Sequence, residues 1–172
     1  MQTKQLIKSR FSRLYGKTDY NKITVKSLCE YVPVARTTFY SYYGNLDEVK
    51  AEIEDEAIAG IRAVCENIYS GNAEQIFISA VGYISEHRDI LYPFLVSQPN
   101  ARFIKKFKAE IIKHFREYFT LKKNGKNGLE LDVFASSVIA CYTYFLEHPE
   151  ETDIKSISEK INALIGVLNM MI

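Results

Sequence analysis

The stretch between residues 23 and 49 constrains the fold more than any other part of the chain. A first short helical pattern begins after Thr24, whose hydroxyl can accept a hydrogen bond from the free amides of the first turn. It ends at Pro33, because proline has no amide hydrogen and disfavours the α conformation in the residue before it. A second pattern follows from about Arg36 to Tyr43. Two short helices joined by a tight turn are typical of a helix-turn-helix.

The second helix presents side chains that a merely structural surface helix would not usually carry. With Phe39 and Tyr43 on its buried side, its outward residues are an arginine, threonines and tyrosines, which can hydrogen-bond phosphates or base edges. Threonine is a poor helix former, so helix propensity does not explain two in succession. A surface helix with an incidental aromatic cluster is the alternative interpretation. The candidate DNA-binding residues are Thr24, Arg36, Thr37, Thr38, Tyr40 and Tyr42.

Several short motifs in this region match a known pattern in register and spacing. They are Ile23-Thr24-Val25, Val34-Ala35-Arg36, Thr38-Phe39-Tyr40, and Tyr42-Tyr43-Gly44-Asn45 leading into Asp47-Glu48-Val49, with Leu6, Ile7, Phe11 and Leu14 before them. In these residues the chain resembles the N-terminal DNA-binding domain of the TetR/AcrR family of bacterial transcription regulators. The resemblance is strong over the first fifty residues, and beyond them it is one of helical layout.

The resemblance implies an all-α fold, in which a three-helix DNA-binding domain is joined by a long helix to a helical C-terminal domain. It also implies sequence-specific binding to double-stranded DNA, repression of transcription, a homodimer and a small-molecule inducer. Within the recognition helix, we expect Arg36 and Thr37 to meet base edges and Thr38, Tyr40 and Tyr42 to meet phosphates. The expected domains are residues 1–46, the helix-turn-helix, and residues 47–172, the regulatory and dimerisation domain.

Three positions depart from the family pattern. Pro33 stands where the family usually has glycine in the turn, and Ala35 stands where serine or threonine commonly caps the recognition helix. Leu46 stands where a lysine often touches a phosphate. Losing a side-chain cap typically costs about 1 kcal/mol, and losing a phosphate contact weakens binding to all sequences alike. The departures therefore bear on the strength of DNA binding.

Charge is divided unevenly along the chain. The whole sequence carries a formal charge of +1, but residues 1–46 hold eight lysines and arginines against two acidic residues, a net +6 that leaves −5 for the remainder. A basic segment attracts a polyanion, and here it coincides with the helix-turn-helix. Among its lysines, Lys4, Lys8 and Lys22 could also meet phosphates, although a solvated lysine is the alternative for each.

Composition excludes several classes of protein. With 47% hydrophobic and 25% charged residues, the chain is typical of globular proteins. No apolar run approaches the length of a membrane span, and the N-terminus leads into an amphipathic helix, so we expect a cytoplasmic protein without membrane association. The three cysteines and three histidines are scattered, which predicts no metal site, no cofactor and no catalytic centre.

The remaining sequence predicts helices throughout. Asn45 and Glu48 form the pattern of a capping box, which begins a helix that continues to about Ser70 and reaches into the second domain. The last two helices, at about 129–147 and 153–171, are apolar enough to require a partner surface. In the family such a pair forms a four-helix dimer interface, and we expect a homodimer here. A purely intramolecular core is the alternative.

An aromatic-rich set of residues lies between the linking helix and the terminal pair: Phe77, Tyr83, Phe94, Phe103, Phe107, Phe115, Tyr118, Tyr142 and Tyr144. Aromatic side chains at helical spacing are more often core than cavity lining, and only the family resemblance implies a pocket for a small apolar or aromatic ligand. The candidate pocket residues are Phe77, Tyr83, Phe94, Phe103, Phe107, Tyr118 and Tyr142.

Two other functions remain open. A TetR-fold protein with weakened or lost operator binding could act through protein contacts, which Ala35 and Leu46 make conceivable. An enzyme is disfavoured, because no nucleophile-base pair, metal cluster or phosphate loop is visible in the sequence.

Overall fold

The computed structural model describes residues 2–66, 73–118 and 128–171. Within these ranges the chain is helical and contains no β-strand, so the predicted all-α fold class is confirmed. The helices are α1 (Gln2–Tyr15), α2 (Val25–Tyr31), α3 (Arg36–Tyr40), α4 (Leu46–Glu66), α5 (Ala73–Glu86), α6 (Arg88–Tyr92), α7 (Ala101–Tyr118), α8 (Gly128–Glu147) and α9 (Ile154–Met171). A 3₁₀ turn at Tyr20–Lys22 precedes α2, and a π-helical turn at Pro93–Ser97 continues α6.

The chain divides into two compact units. The first comprises Met1–Ala57 and Arg88–Asn100, and the second comprises Ile58–His87 and Ala101–Ile172. The sequence analysis divided the chain after residue 46 and did not anticipate that the beginning of α4 and residues 88–100 fold with the helix-turn-helix. One contact that joins residues 88–100 to α1 is the packing of Phe94 against Tyr15, with ring centroids 5.1 Å apart.

The first unit is built on a small apolar core. Each of its helices contributes side chains that are almost fully buried, and these include Ile7, Phe11, Leu28, Phe39, Val49, Ile53, Leu91 and Phe94. Gln98 connects residues 88–100 by hydrogen bonds to the segment that follows α1. Its side-chain amide donates to the Thr18 carbonyl oxygen at 2.8 Å, and its carbonyl oxygen accepts from the Tyr20 amide at 2.9 Å.

Local capping signals fix the helix boundaries of the helix-turn-helix. Thr24 caps α2, with its hydroxyl accepting from the Ser27 amide at 3.0 Å. The Glu48 amide donates to the Asn45 side chain at 3.0 Å, so the predicted side-chain cap of α4 is formed. The Glu48 carboxylate accepts from the Gly44 amide at 2.7 Å, one residue earlier than the capping box predicts. α3 is shorter than predicted and ends at Tyr40 rather than at Tyr43. There the Ser41 hydroxyl donates to the Thr38 carbonyl oxygen at 2.7 Å and competes with continuation of the helix.

The second unit is a helical bundle in which α9 packs on α5 and α8, and α8 also packs on α7. α8 alone among the described helices is long and apolar enough to cross a membrane by length and composition. Its buried face, which includes Leu131, Phe134, Val138 and Leu146, is that of a core helix packed within a bundle. The predicted continuation of α4 beyond Glu66 lies outside the described residues.

The apolar stripe of α9 serves the chain's own core. Ile157, Ile161 and Ile165 are buried at 2%, 0% and 8% exposure. The intramolecular alternative is therefore right for these residues. A different, exposed stripe of α9 carries Ala163, Gly166, Val167 and Met170.

Candidate nucleic-acid interface and internal cavity

α3 exposes a compact group of hydrogen-bonding side chains. Phe39 is fully buried and anchors the helix, while Arg36, Thr37 and Tyr40 are exposed. These three occupy positions i, i+1 and i+4, which fall within about one quadrant of a helix. Tyr40 is 56% exposed and stands edge-on against the Phe39 ring, with centroids 5.5 Å apart. Across the part of the chain that the structure describes, none of the three exposed side chains makes a hydrogen bond or ion pair.

The other predicted DNA-facing residues surround this group in different ways. Tyr42, 40% exposed, follows α3 in the turn. Thr38 is half-buried at the side of the helix. Thr24 is exposed, but its hydroxyl already accepts from the Ser27 amide. Arg36, Thr37 and Tyr40 therefore form the most available surface of the candidate set.

Internal ion pairs take up part of the basic charge of this unit. Lys4 Nζ lies 2.7 Å from a Glu52 carboxylate oxygen, and Lys8, only 7% exposed, pairs with both Glu52 and Glu56. Burial alone would raise the pKa of Glu52, but hydrogen bonds from Lys4 and Lys8 outweigh it and lower that pKa. These two lysines therefore stabilise the packing of α1 on α4, whereas Lys22 is exposed.

One cationic contact beside the helix-turn-helix was not anticipated from the sequence. The Arg10 guanidinium lies over the Tyr31 ring, 5.7 Å from its centroid. Arg10 is on α1 and Tyr31 is the last residue of α2, so no local pattern links them. The contact holds a positive charge beside an exposed aromatic ring at the edge of the first unit.

The second unit contains an internal cavity of about 50 Å³. Its wall is formed by α4, α5, α7 and α8 and is almost entirely apolar. Four of the predicted pocket residues line it, namely Phe77, Tyr83, Phe107 and Tyr142. Phe115, which belongs to the same predicted aromatic set, also lines it. The residues that the sequence analysis missed are Ile61, Cys65, Ile76, Ala80, Ile84, Ile111, His114 and Val138.

The other three predicted pocket residues do not join the described lining. Phe94 is buried in the first unit, where it packs on Tyr15, so its predicted place in the pocket is wrong. Phe103 is fully buried and contacts the Phe107 ring, with centroids 6.0 Å apart, but it is not part of the lining. The side chain of Tyr118 lies outside the described residues.

Burial raises the pKa values of two polar groups that line the cavity. Burial raises the pKa of the Cys65 thiol to about 11 and also raises the pKa of Tyr142, so both groups are neutral at physiological pH. The Tyr83 hydroxyl lies against the α4 backbone, in the space that a Cβ at Gly60 would occupy. His114 Nε2 is buried and makes no hydrogen bond with the described residues.

The structure offers no evident metal site in residues 2–66, 73–118 and 128–171, because no three His, Cys, Asp or Glu side chains converge there. Its three cysteines are free thiols. The notable surfaces of the two units are thus the exposed face of α3 and the apolar cavity.

No protein-family model matches the chain, and no curated protein matches it. Several solved structures are similar to it over nearly its whole length. A TetR transcriptional regulator from Streptococcus agalactiae 2603V shares 20% identity over 95% of this chain and 93% of its own, with a TM-score of 0.73. The fatty acid degradation regulator FadR from Bacillus halodurans shares 11% identity over 95% and 94% of the two chains, with a TM-score of 0.72.

A third similar structure is the dihydroxyacetone kinase operon activator DhaS. It shares 16% identity over 99% of this chain and 96% of its own, with a TM-score of 0.61. These matches span nearly the whole chain, so they bear on both units and not on the helix-turn-helix alone. The resemblance noted in the sequence is thus confirmed at the level of the fold: the chain has the fold of the TetR/AcrR transcriptional regulators.

Proposed function

We propose that this protein is a sequence-specific DNA-binding transcriptional regulator of the TetR/AcrR family, acting as a repressor and a homodimer in the cytoplasm. One observation carries the proposal. Arg36, Thr37 and Tyr40 stand exposed on one side of a helix anchored by Phe39, with their hydrogen-bonding groups not engaged by the described residues. Such side chains are suited to base edges and phosphates.

The electrostatics of the chain support a polyanionic partner. Residues 1–46 carry a net +6, and the paired lysines Lys4 and Lys8 account for only part of it. Lys22, Lys26 and Arg36 are exposed in the same segment as the recognition helix. Each neutralised phosphate releases counterions, so binding should weaken as salt concentration rises.

Exposed uncharged stripes on the terminal helices support the dimer. On α8, Leu129 and Val133 are 72% and 46% exposed, and on α9, Val167 and Met170 are 50% and 82% exposed. Exposed apolar patches often mark interfaces. Helix-turn-helix proteins usually pair so that two recognition helices meet two half-sites one helical turn apart.

The test is enrichment of a binding site from a genomic fragment pool, followed by fluorescence anisotropy on the enriched duplex at two salt concentrations. We expect a near-palindromic site whose affinity falls as salt rises. Arg36→Ala should lower operator affinity by about tenfold to a hundredfold, since one bidentate base contact contributes about 1–3 kcal/mol. Lys155→Ala, which removes an exposed cation of α9, is the matched control and should leave affinity unchanged.

Far-UV circular dichroism and the thermal midpoint should be the same for both variants. Equal operator affinity of Arg36→Ala and the unaltered protein would contradict the assignment of α3 as the recognition helix. Absence of binding to any duplex at low salt would contradict the proposal as a whole.

A second candidate function is supported by particular observations in α2–α4. Ala35 caps α3 without a side-chain hydrogen bond, and Leu46 provides no charge at the start of α4. A regulator so equipped could act through protein contacts, and DhaS, with a similar fold, is described as an operon activator. Co-purification of a stoichiometric protein partner, without salt-dependent duplex binding, would favour this candidate.

A further inference from the structure

α7 concentrates positive charge in a part of the chain that is otherwise acidic. Residues 47–172 carry a net charge of −5, yet α7 alone holds six lysines and arginines against two glutamates, a net +4. Its buried apolar side chains are at most 8% exposed in the core of the second unit, namely Phe103, Phe107, Ile111 and Phe115. An amphipathic helix packed in this way leaves its cations on the opposite side.

Three of these cations form a basic stripe on the surface. Lys105, Lys113 and Arg116 are exposed, and none of them makes a hydrogen bond or an ion pair with the residues that the structure describes. They lie within about 80° of the helix circumference and span about 17 Å along its axis, with the exposed Ala109 between them. We call Lys105, Ala109, Lys113 and Arg116 the α7 basic stripe.

The described carboxylate of α7 is occupied by another partner. Glu110 is only 14% exposed and accepts a hydrogen bond from Arg62 Nε at 3.1 Å. That hydrogen bond is the first cause of the lowered pKa of Glu110, and Lys113 adds a smaller electrostatic effect. The side chain of Glu117 lies outside the described residues. The stripe therefore keeps its positive charge available to a partner.

We propose that the α7 basic stripe binds the phosphate backbone of double-stranded DNA, as a second contact surface that is independent of base sequence. This surface belongs to the second unit, whereas the helix-turn-helix belongs to the first, and it does not depend on α3 reading a site. A duplex carries about one phosphate charge per 1.7 Å of its axis, so the length of the stripe matches about ten of them. The small side chain of Ala109 lets a backbone approach the cations closely.

The composition of the stripe favours DNA over an acidic protein. Interfaces between proteins are rich in aromatic side chains and methionine and poor in lysine. Among the described side chains of α7, no large hydrophobic one is exposed. Interfaces with DNA are more polar and much more positively charged, which agrees with two lysines, an arginine and an alanine.

The burial of the apolar side of α7 disfavours an anionic membrane surface as the partner. A helix that lies in a membrane interface inserts its apolar side into the lipid. In α7 that side is packed in the core of the second unit through Phe103, Phe107 and Phe115. A membrane could therefore hold the stripe by charge alone, without the insertion that stabilises interfacial helices.

The test is acetylation footprinting of the full-length protein, in which an amine-reactive reagent labels exposed lysines and mass spectrometry measures the rate at each one. The probe is a long duplex of random sequence. At low salt we expect DNA to slow the labelling of Lys105 and Lys113 by about fivefold, and high salt should abolish this protection. Lys155, an exposed lysine of α9 in the same unit, should be labelled at the same rate with and without DNA. Unchanged labelling of Lys105 and Lys113, or equal protection of Lys155, would overturn the proposal.

The same experiment separates this surface from the proposed function. Lys22 and Lys26 are exposed in the first unit and report contact at the helix-turn-helix. Protection of these two without Lys105 and Lys113 would overturn the second surface and leave the proposed function intact, whereas the reverse pattern would support the second surface alone. Phosphatidylglycerol vesicles and polyglutamate replace DNA in parallel samples. Protection of the stripe by either of them, without protection by DNA, would overturn the proposal.

Two matched double variants give a second measurement. Lys105→Gln/Lys113→Gln and Lys155→Gln/Lys160→Gln remove the same charge from exposed positions of the same unit. In anisotropy titrations with the random duplex, the first should lower the slope of log affinity against log salt by about two per bound subunit, since each phosphate contact contributes about 0.9. It should also weaken binding by about tenfold to a hundredfold at low salt, and the second variant should leave the slope unchanged. Equal slopes for the two variants would overturn the proposal, and the footprint on the unaltered protein decides if a variant does not fold.

Discussion

The turn of the helix-turn-helix contains a conformation that proline is poorly able to adopt. Pro33 has φ of 30°, and no other described residue except glycine has a positive φ. The pyrrolidine ring favours φ near −65°. Val34 donates its amide to the Cys29 carbonyl oxygen at 3.2 Å, which closes α2 in the manner of a Schellman motif. In that motif the residue at Pro33 is usually glycine in the left-handed conformation.

Pro33→Gly should therefore stabilise the protein, by an amount that can be estimated from three contributions. Relief of the backbone strain is favourable by about 1–3 kcal/mol. The new amide can donate to the Glu30 carbonyl oxygen as the motif requires, which adds about 0.5–1 kcal/mol. The greater entropy of glycine in the unfolded chain opposes both by about 1 kcal/mol. The ring of Pro33 is exposed, so little packing is lost.

The expected net gain is about 0.5–3 kcal/mol in the free energy of unfolding, or about 1–12 °C in the thermal midpoint for a chain of this size. Urea titration and thermal melts followed by far-UV circular dichroism measure it. Pro149→Gly is the matched control, because Pro149 is exposed and its φ is negative. It should lose about 0.5–1 kcal/mol. If Pro33→Gly is destabilised as much as the control, the argument from backbone strain is refuted.

Three further predictions concern the same unit. Ala35→Ser should add about 0.5–1 kcal/mol to the stability measured by urea titration, because its hydroxyl can cap α3 where no side-chain cap exists; no gain would contradict this. Leu46→Lys should steepen the salt dependence of duplex binding by about one unit per subunit in an anisotropy titration, and an unchanged slope would place this residue away from phosphates. Lys8→Met should lose about 1–3 kcal/mol near pH 7, because it leaves Glu52 with Lys4 alone and removes the lysine that pairs with Glu56. Since the pKa of Glu52 is lowered on folding, its contribution is present above the unfolded pKa and fades as pH falls through the folded value, so the difference from Lys8→Met in urea titrations should shrink below about pH 4.

The helix-turn-helix could be predicted because its signals are local. The caps at Thr24 and Asn45 lie within three residues of the groups they bond, and the burial of Phe39 follows from helical periodicity. The end of α3 was predicted three residues too late, since Tyr43 continues the apolar spacing although the Ser41 hydroxyl ends the helix. Periodicity alone does not reveal such a side-chain to backbone bond.

Long-range contacts account for most of what the sequence did not reveal. Gln98 bonds Thr18 and Tyr20 across about eighty residues, and a glutamine in an apolar segment gives no indication of this. In the sequence, Phe94 has the same helical spacing as the other candidate pocket aromatics, but in the structure it packs against Tyr15 in the first unit. A single histidine at helical spacing likewise gave no sign that His114 would line a cavity, because the neighbouring walls come from other helices.

Chain connectivity limits how a ligand in the second unit could influence the first. α4 belongs to the first unit through Ala57 and to the second from Ile58, and residues 88–100 join α5 to α7. Both α5 and α7 line the cavity, while Gln98 in the connecting segment donates a hydrogen bond to the Tyr15 carbonyl oxygen at the end of α1. A ligand can shift the position of α1 only if it binds two arrangements of these segments unequally.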